Sequence, residues 1–369
     1  MKVVDGVSLW SETFDRSTTD IFAVQDEVAR AVIAALRGRV LAGNVGGAGT
    51  ATRDPEAYDL YLQGRFYQAK RTTIDVERAI GLFEQALARD SLFVQAWTGL
   101  ADAYLALAFY SNVPSIATLA QARTAVDRAL AIDPDFGEAL TTRAHLLFLQ
   151  DWDVRKADSA FRRAIELSPG YGNAHKWYAD LLDATGQTDR ALESFTRALQ
   201  LDPLSAITNT NLGTHFLAQG DTAQAMIRMT KALEIDPTLP LALRWIARIY
   251  FARGDTAAFF AAQERLQANS TRAGAPAAVL RRAWQSGGHD AVSRKQIEAF
   301  TAGKLWFERA DWRAELGDFD GAFHDLDLAV QGRSILVPVV RSEILNPAFQ
   351  RDPRFGALLR RVGLQDGRP

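Results

Sequence analysis

At 369 residues the chain exceeds a typical single globular core, but a stack of repeats grows by adding neighbours, so length does not force several domains. With 42 Lys+Arg against 44 Asp+Glu the formal charge is −2, which gives no global field to recruit nucleic acid or an anionic membrane. Cysteine is absent, excluding disulfides, thiolate metal sites and thiol nucleophiles, and the longest apolar stretches, Tyr104 to Tyr110 and Ala257 to Ala262, fall short of the roughly 20 residues of a membrane span.

The start, Met1 to Gly6, carries one positive charge without the apolar core of a secretory signal. The expectation is a soluble, cytoplasmic chain, or a periplasmic one if a longer parent has an upstream membrane segment. Residues 7–14 alternate like a strand, and Asp20 to Leu41 carries Ile21, Val24, Val28, Val32, Ala35 and Leu36 at helical spacing. One strand and one helix cannot bury a core, so residues 1–42 read as the tail of a larger α/β module. Residues 43–54 read as a glycine-rich linker, because Gly43 to Thr50 lacks the lysine and the preceding strand of a phosphate loop.

Four copies of one phrase then follow: Ala129 to Pro134, Ala164 to Pro169, Ala198 to Pro203 and Ala232 to Pro237. Their prolines are 35, 34 and 34 residues apart, a period that marks stacked supersecondary units. A weaker copy at 86–91 precedes the first by 43 residues, so the second unit carries an insertion of about nine residues, placed at Phe109 to Ile116. Within a unit, Asn173 to Ala184 and Thr188 to Leu201 read as two helices, Gly186 ending the first and Pro203 stopping the second. Gly220-Asp221, Gly254-Asp255 and Gly317-Asp318 repeat that grammar. Ala179, Ala191 and Ala198 correspond to Gly213, Ala225 and Ala232, with Phe195 and Met229, and Leu182 and Phe216, as the large partners that close helix packing requires.

These positions, with Trp97, Leu100, Ala101, Tyr104, Ala122, Ala129 and Pro134 in the second unit, resemble the tetratricopeptide repeat. The array is assigned to residues 55–271 and degenerate copies to 272–334, where Trp306, Ala310, Gly317, Ala322 and Ala329 are kept; residues 335–369 are assigned to a capping helix and tail with Phe355, Leu358, Leu359 and Val362 on one face. Residues 9–16 and 20–27 resemble the end of the TolB-like module that precedes such arrays in bacterial class III adenylate cyclases, signalling Ser/Thr kinases and winged-helix regulators. The expected fold class is all-α, a superhelix of about seven or eight hairpins with a short strand-plus-helix remnant at its N-terminus.

The resemblance implies that the first helices line a concave groove that binds a protein or peptide. Its contact positions map to Arg65, Asp102, His145, Lys176, Asp180, Arg244, Arg248 and Phe251, of which Arg244 and Arg248, one helical turn apart, suit a carboxylate. No catalytic residue, metal or cofactor is expected: the five histidines form no His-Glu-x-x-His motif, and Asp318-Phe319-Asp320 lacks the glycine of the kinase triplet. The tryptophans at 97, 177, 245, 284, 306 and 312 read as packing residues rather than stacking platforms. The reading is a non-enzymatic scaffold; its alternative is the regulatory half of a cyclase, kinase or transcription regulator, whose effector domain would be the partner.

Overall fold

The period of the phrase becomes a stack of helical hairpins in a computed structural model that describes residues 52–111, 115–270 and 273–364. The strand and helix read at 7–14 and 20–41, and the glycine stretch at 43–50, lie outside the described residues. Six hairpins come first: α1 (Pro55–Lys70) with α2 (Thr73–Arg89), α3 (Val94–Tyr110) with α4 (Ser115–Ile132), α5 (Gly137–Leu149) with α6 (Val154–Leu167), α7 (Gly172–Ala184) with α8 (Thr188–Leu201), α9 (Ala206–Ala218) with α10 (Thr222–Ile235), and α11 (Pro240–Ala252) with α12 (Thr256–Asn269). From α5 to α12 the two helices of each hairpin are 13 and 14 residues long. In the second hairpin they are 17 and 18, so the insertion is absorbed as roughly one extra turn on each helix rather than as a long loop.

The repeated phrases encode the turns. Gly220 takes φ +80°, the left-handed conformation that ends α9, and Asp221 caps α10 by accepting a hydrogen bond from the Gln224 N–H at 2.9 Å. Asp255 and Asp318 do the same for the helices that follow them. At the other end of the unit Asp236, extended before its proline, accepts from the Thr238 N–H at 2.9 Å, an Asx turn that launches the next hairpin.

The seams use size. Phe83 of α2 is wedged between α1 and α3, where a Cβ on either Gly64 or Gly99 would come within 2.7 Å of its ring. Val126, Phe161, Phe195 and Met229 continue the large series, all buried, against buried alanines at 157, 191 and 225. The pattern inverts in α12, where Phe259 occupies the alanine place and Gln263 the large one. Gln263 instead donates to the Ala273 carbonyl at 2.6 Å, and regular stacking ends there. The next helix, α13 (Ala277–Ala302), is broken at Gly287-Gly288 into two helical arms, and α14 (Trp306–Glu315) with α15 (Phe319–Gln331) restores a hairpin.

The chain then returns. A 3-10 turn (Val337–Val339) packs on α5, α7 and α15, and α16 (Val340–Glu343) packs on α7 and α9, so residues 335–344 lie across the first helices of three successive units. Ile335, Leu336, Val337, Val340 and Ile344 are buried there, and the Arg341 guanidinium donates to the Ala184 carbonyl at 3.3 Å. Beyond α17 (Pro347–Arg351), α18 (Pro353–Arg361) buries Phe355, Leu358 and Leu359 and is tied to α15 by Arg354–Asp320 at 2.6 Å and Arg361–Asp327 at 2.7 Å. One apolar core therefore joins the first four hairpins to residues 307–364.

Candidate functional site

The first helices α1, α3, α5, α7, α9 and α11 pack side by side, and their shared wall is unusually polar for a buried surface. Polar contacts cross it from unit to unit. Thr142 donates to Asp102 at 2.6 Å, Asn211 donates to Asp180 at 3.0 Å, and His215 Nδ1 lies 2.8 Å from Asp183. Each buried acceptor thus meets a donor from the neighbouring unit, as a low-dielectric interior demands.

Between this wall, the returning segment and α14 lies a cavity of about 200 Å³, lined among others by Arg71, His145, Lys176, Trp177, Asp180, Arg244, Trp245, Arg248, Asp311 and Glu343. Arg71 reaches it from the left-handed residue that ends α1, φ 56°. The Lys176 side chain is 1% exposed. Its ammonium sits 5.0 Å from the Trp177 ring centre, and among the described residues it has no hydrogen bond and no carboxylate within ion-pair distance. His145 stacks on Trp177 at 4.3 Å, and its Nδ1 has no hydrogen-bond partner; burial, with Lys176 and Arg71 nearby, holds its imidazole neutral, well below its ordinary range.

Burial, reinforced by Arg71, pulls the Lys176 ammonium down to about 7, and burial pushes the Asp180 carboxyl up to about 7. Asp311 is raised to about 6, again by burial. A site that penalises charge of either sign this strongly is a desolvated chamber rather than a solvated helix face.

Of the eight positions read from the sequence, His145, Lys176, Asp180, Arg244 and Arg248 line this one cavity. Arg244 and Arg248 already hold carboxylates of the chain itself: Arg244 pairs with Glu343 at 2.6 Å, and Arg248 with Asp311 and Glu315, each at 3.2 Å. Arg65 and Asp102 lie along the same wall outside the cavity lining, Arg65 donating to the Tyr61 hydroxyl at 3.0 Å. Phe251 sits in the core, 2% exposed among Phe259, Trp284, His289 and Trp312, because α13 and α14 cover the face it presents. Trp177, Trp245 and Trp312 are buried as packing residues, yet all three also line the cavity.

Sequence reasoning passed over Arg71, Asp311 and Glu343. The signal for Glu343 was present in Ile335 to Val340, an apolar run outside every repeat helix that had to be buried somewhere.

Hairpins stacked at a fixed period, with first helices forming one wall, define a repeat scaffold of the α-solenoid class. The chain belongs to the tetratricopeptide repeat family: the family model matches residues 74–135, 146–206, 179–240 and 210–278, together more than half of its length. It is 44% identical over 68 residues to "Putative adenylate cyclase 3" of Rhizobium meliloti (strain 1021), a match covering 17% of this chain and 12% of that protein. Among solved structures it is similar to PilF of Pseudomonas aeruginosa (19% identity, 60% of this chain and 97% of that one, TM-score 0.43). It is also similar to TTC0263, a thermophilic tetratricopeptide protein of Thermus thermophilus (22% identity, 51% and 96%, TM-score 0.40). No helix among the described residues is long and apolar enough to cross a membrane.

Proposed function

We propose that the chain is a non-catalytic scaffold whose concave wall receives a polypeptide segment from a protein partner. The observation that carries this is the wall's present occupant, since residues 335–344 lie across α5, α7 and α9, held by apolar burial, by Arg341 on a backbone carbonyl and by the Arg244–Glu343 pair. A partner segment of similar character, apolar with an acidic residue at the Arg244 end, would make the same contacts in its place. The test uses a fluorescent peptide spanning residues 333–346 and a full-length Val340→Asp variant, which drives a charge into the segment's fully buried anchor. Peptide binding by the variant and not by the unaltered chain supports the reading; binding by neither, with helicity intact, refutes it. If Val340→Asp loses helicity, Arg341→Ala with Glu343→Ala decides.

The match to a cyclase favours a second reading, in which the scaffold regulates an attached or separate nucleotide cyclase. The size of the endogenous polypeptide, detected with an antibody against the repeats, separates the cases. A product much larger than 40.6 kDa means an effector domain on the same chain, and one near that mass means a partner encoded elsewhere.

A further inference from the structure

The cavity contains more unsatisfied chemistry than a packing defect would leave, and all of it is of one kind. Trp245 Nε1, Arg248 Nη1 and His145 Nδ1 are buried without a hydrogen-bond partner, and the 1%-exposed Lys176 side chain has neither a hydrogen bond nor a carboxylate in ion-pair distance among the described residues. Three of these four are donors by their chemistry, and the imidazole donates in one of its two tautomers. Arg71 adds a second cationic group beside Lys176, so like charges are gathered where desolvation already penalises them. A native interior tolerates few such groups, and a set of them on residues lining one cavity calls for an acceptor that the protein does not provide.

We propose that this cavity is a binding site for a small organic anion with a flat apolar body, its carboxylate or phosphate group set against Lys176 and Arg71 and its body among the lining tryptophans. The anion supplies acceptors for the Lys176 ammonium and for the three buried nitrogens that lack them. Trp177, stacked on His145 at 4.3 Å and 5.0 Å from the Lys176 ammonium, lines the cavity together with Trp245 and Trp312, and these indoles offer the apolar contact. The volume, about 200 Å³, admits a compact molecule and not a folded partner segment, so the cavity takes a ligand of a different kind from the segment at 335–344, whose Leu336, Val339, Ser342 and Glu343 help to line it. The Lys176 ammonium, which burial brings down to about 7, regains its full charge when an anion is bound beside it, so binding takes up protons at slightly alkaline pH. The groups facing it are Arg71, His145, Asp102, Asp180 and Asp202, and none of the three carboxylates forms an ion pair with it among the described residues.

The full chain is titrated by calorimetry at pH 8 with benzoate, phenyl phosphate and, as a probe of the same ring and opposite charge, benzylamine. Saturable one-to-one binding of benzoate or phenyl phosphate, with benzylamine inert, is expected, and the tighter of the two identifies the acidic group. Lys176→Gln should weaken that binding at least tenfold, and Trp245→Phe, which keeps the ring body and removes one donor, severalfold. The proposal is overturned if neither anion binds at millimolar concentration, if benzylamine binds equally, or if Lys176→Gln retains full affinity; the cavity then holds only water. Should Lys176→Gln lose helicity, the Trp245→Phe affinity decides.

Discussion

The regular array from α5 to α12 and the closing region from α14 to α18 are both built from helices, but they are held together by different forces. The array relies on registry of size, with Phe161, Phe195 and Met229 wedged against alanines that the period repeats, and lysine and arginine pairs such as Arg163–Glu166 and Lys231–Glu234 lie on its surface. The closing region is held by charge, fully buried at Asp325 and partly buried where it meets α11. Asp325, 0% exposed, is gripped by Arg309 through Nε at 2.7 Å and approached by Arg313 Nε at 3.0 Å, and Arg244 and Arg248 reach across from α11 to Glu343, Asp311 and Glu315. Registry can be extended unit by unit, whereas buried ion pairs fix one particular closure and do not propagate.

The two regions should part most sharply at Asp325. Asp325→Ala leaves two guanidinium groups without their shared buried carboxylate and should cost about 3–5 kcal/mol, read as a lowered midpoint in urea unfolding. The expected signature is early loss of α14 and α15 in hydrogen exchange while α5 to α10 stay protected; simultaneous loss everywhere would mean that the two regions unfold as one unit. In the array the corresponding insult is steric. Ala198→Trp, at a position 1% exposed, should overpack the seam and cost about 1–3 kcal/mol, and an unchanged thermal midpoint would contradict the size registry.

A smaller effect is expected where the two regions meet. Glu343→Ala removes the partner of Arg244, which is about one-third exposed, so the loss should be about 1 kcal/mol at most. Its signature is local: faster limited proteolysis within residues 335–345 at unchanged helicity. A cleavage rate equal to that of the unaltered chain would mean that apolar burial alone holds the segment in place.

The array was legible because its determinants are local and repeated. Gly220 and Asp221 fix a turn by their own backbone and side-chain chemistry, and Ala198 and Phe195 meet their counterparts one period away. The cavity was half legible. Lys176 and Arg244 could be placed on the first helices by period, but period says nothing about Glu343, which meets Arg244 from 99 residues away, or about the covering of Phe251 by α13 and α14. Nor does it reveal that Arg71, outside the helical pattern, turns into the cavity from a left-handed helix end. Such contacts depend on how far the superhelix turns before the chain comes back, a sum over many small rotations that no single motif encodes.

The smallest stability effect is expected at Lys176, and there the sign is more informative than the size. Replacing a buried, unpartnered ammonium by Met, of similar length, removes a desolvation penalty, so Lys176→Met should be neutral or stabilising at pH 7. In the folded chain Lys176 titrates near 7, against 10.5 for the ordinary side chain. Between those values the unfolded state binds the proton and the folded state has shed it, so the unaltered chain gains stability as pH rises through this window, by up to about 1.4 kcal/mol per unit. The variant lacks that gain. Loss of the Lys176 charge also pushes the Asp180 carboxyl further up, so ionising it as pH rises costs the variant additional stability. Both contributions have the same sign: any advantage of Lys176→Met in thermal midpoint at pH 7 should shrink by pH 9. An advantage that grows with pH would place the ammonium in water or in an ion pair, and would remove the desolvated chamber from which the anion site is argued.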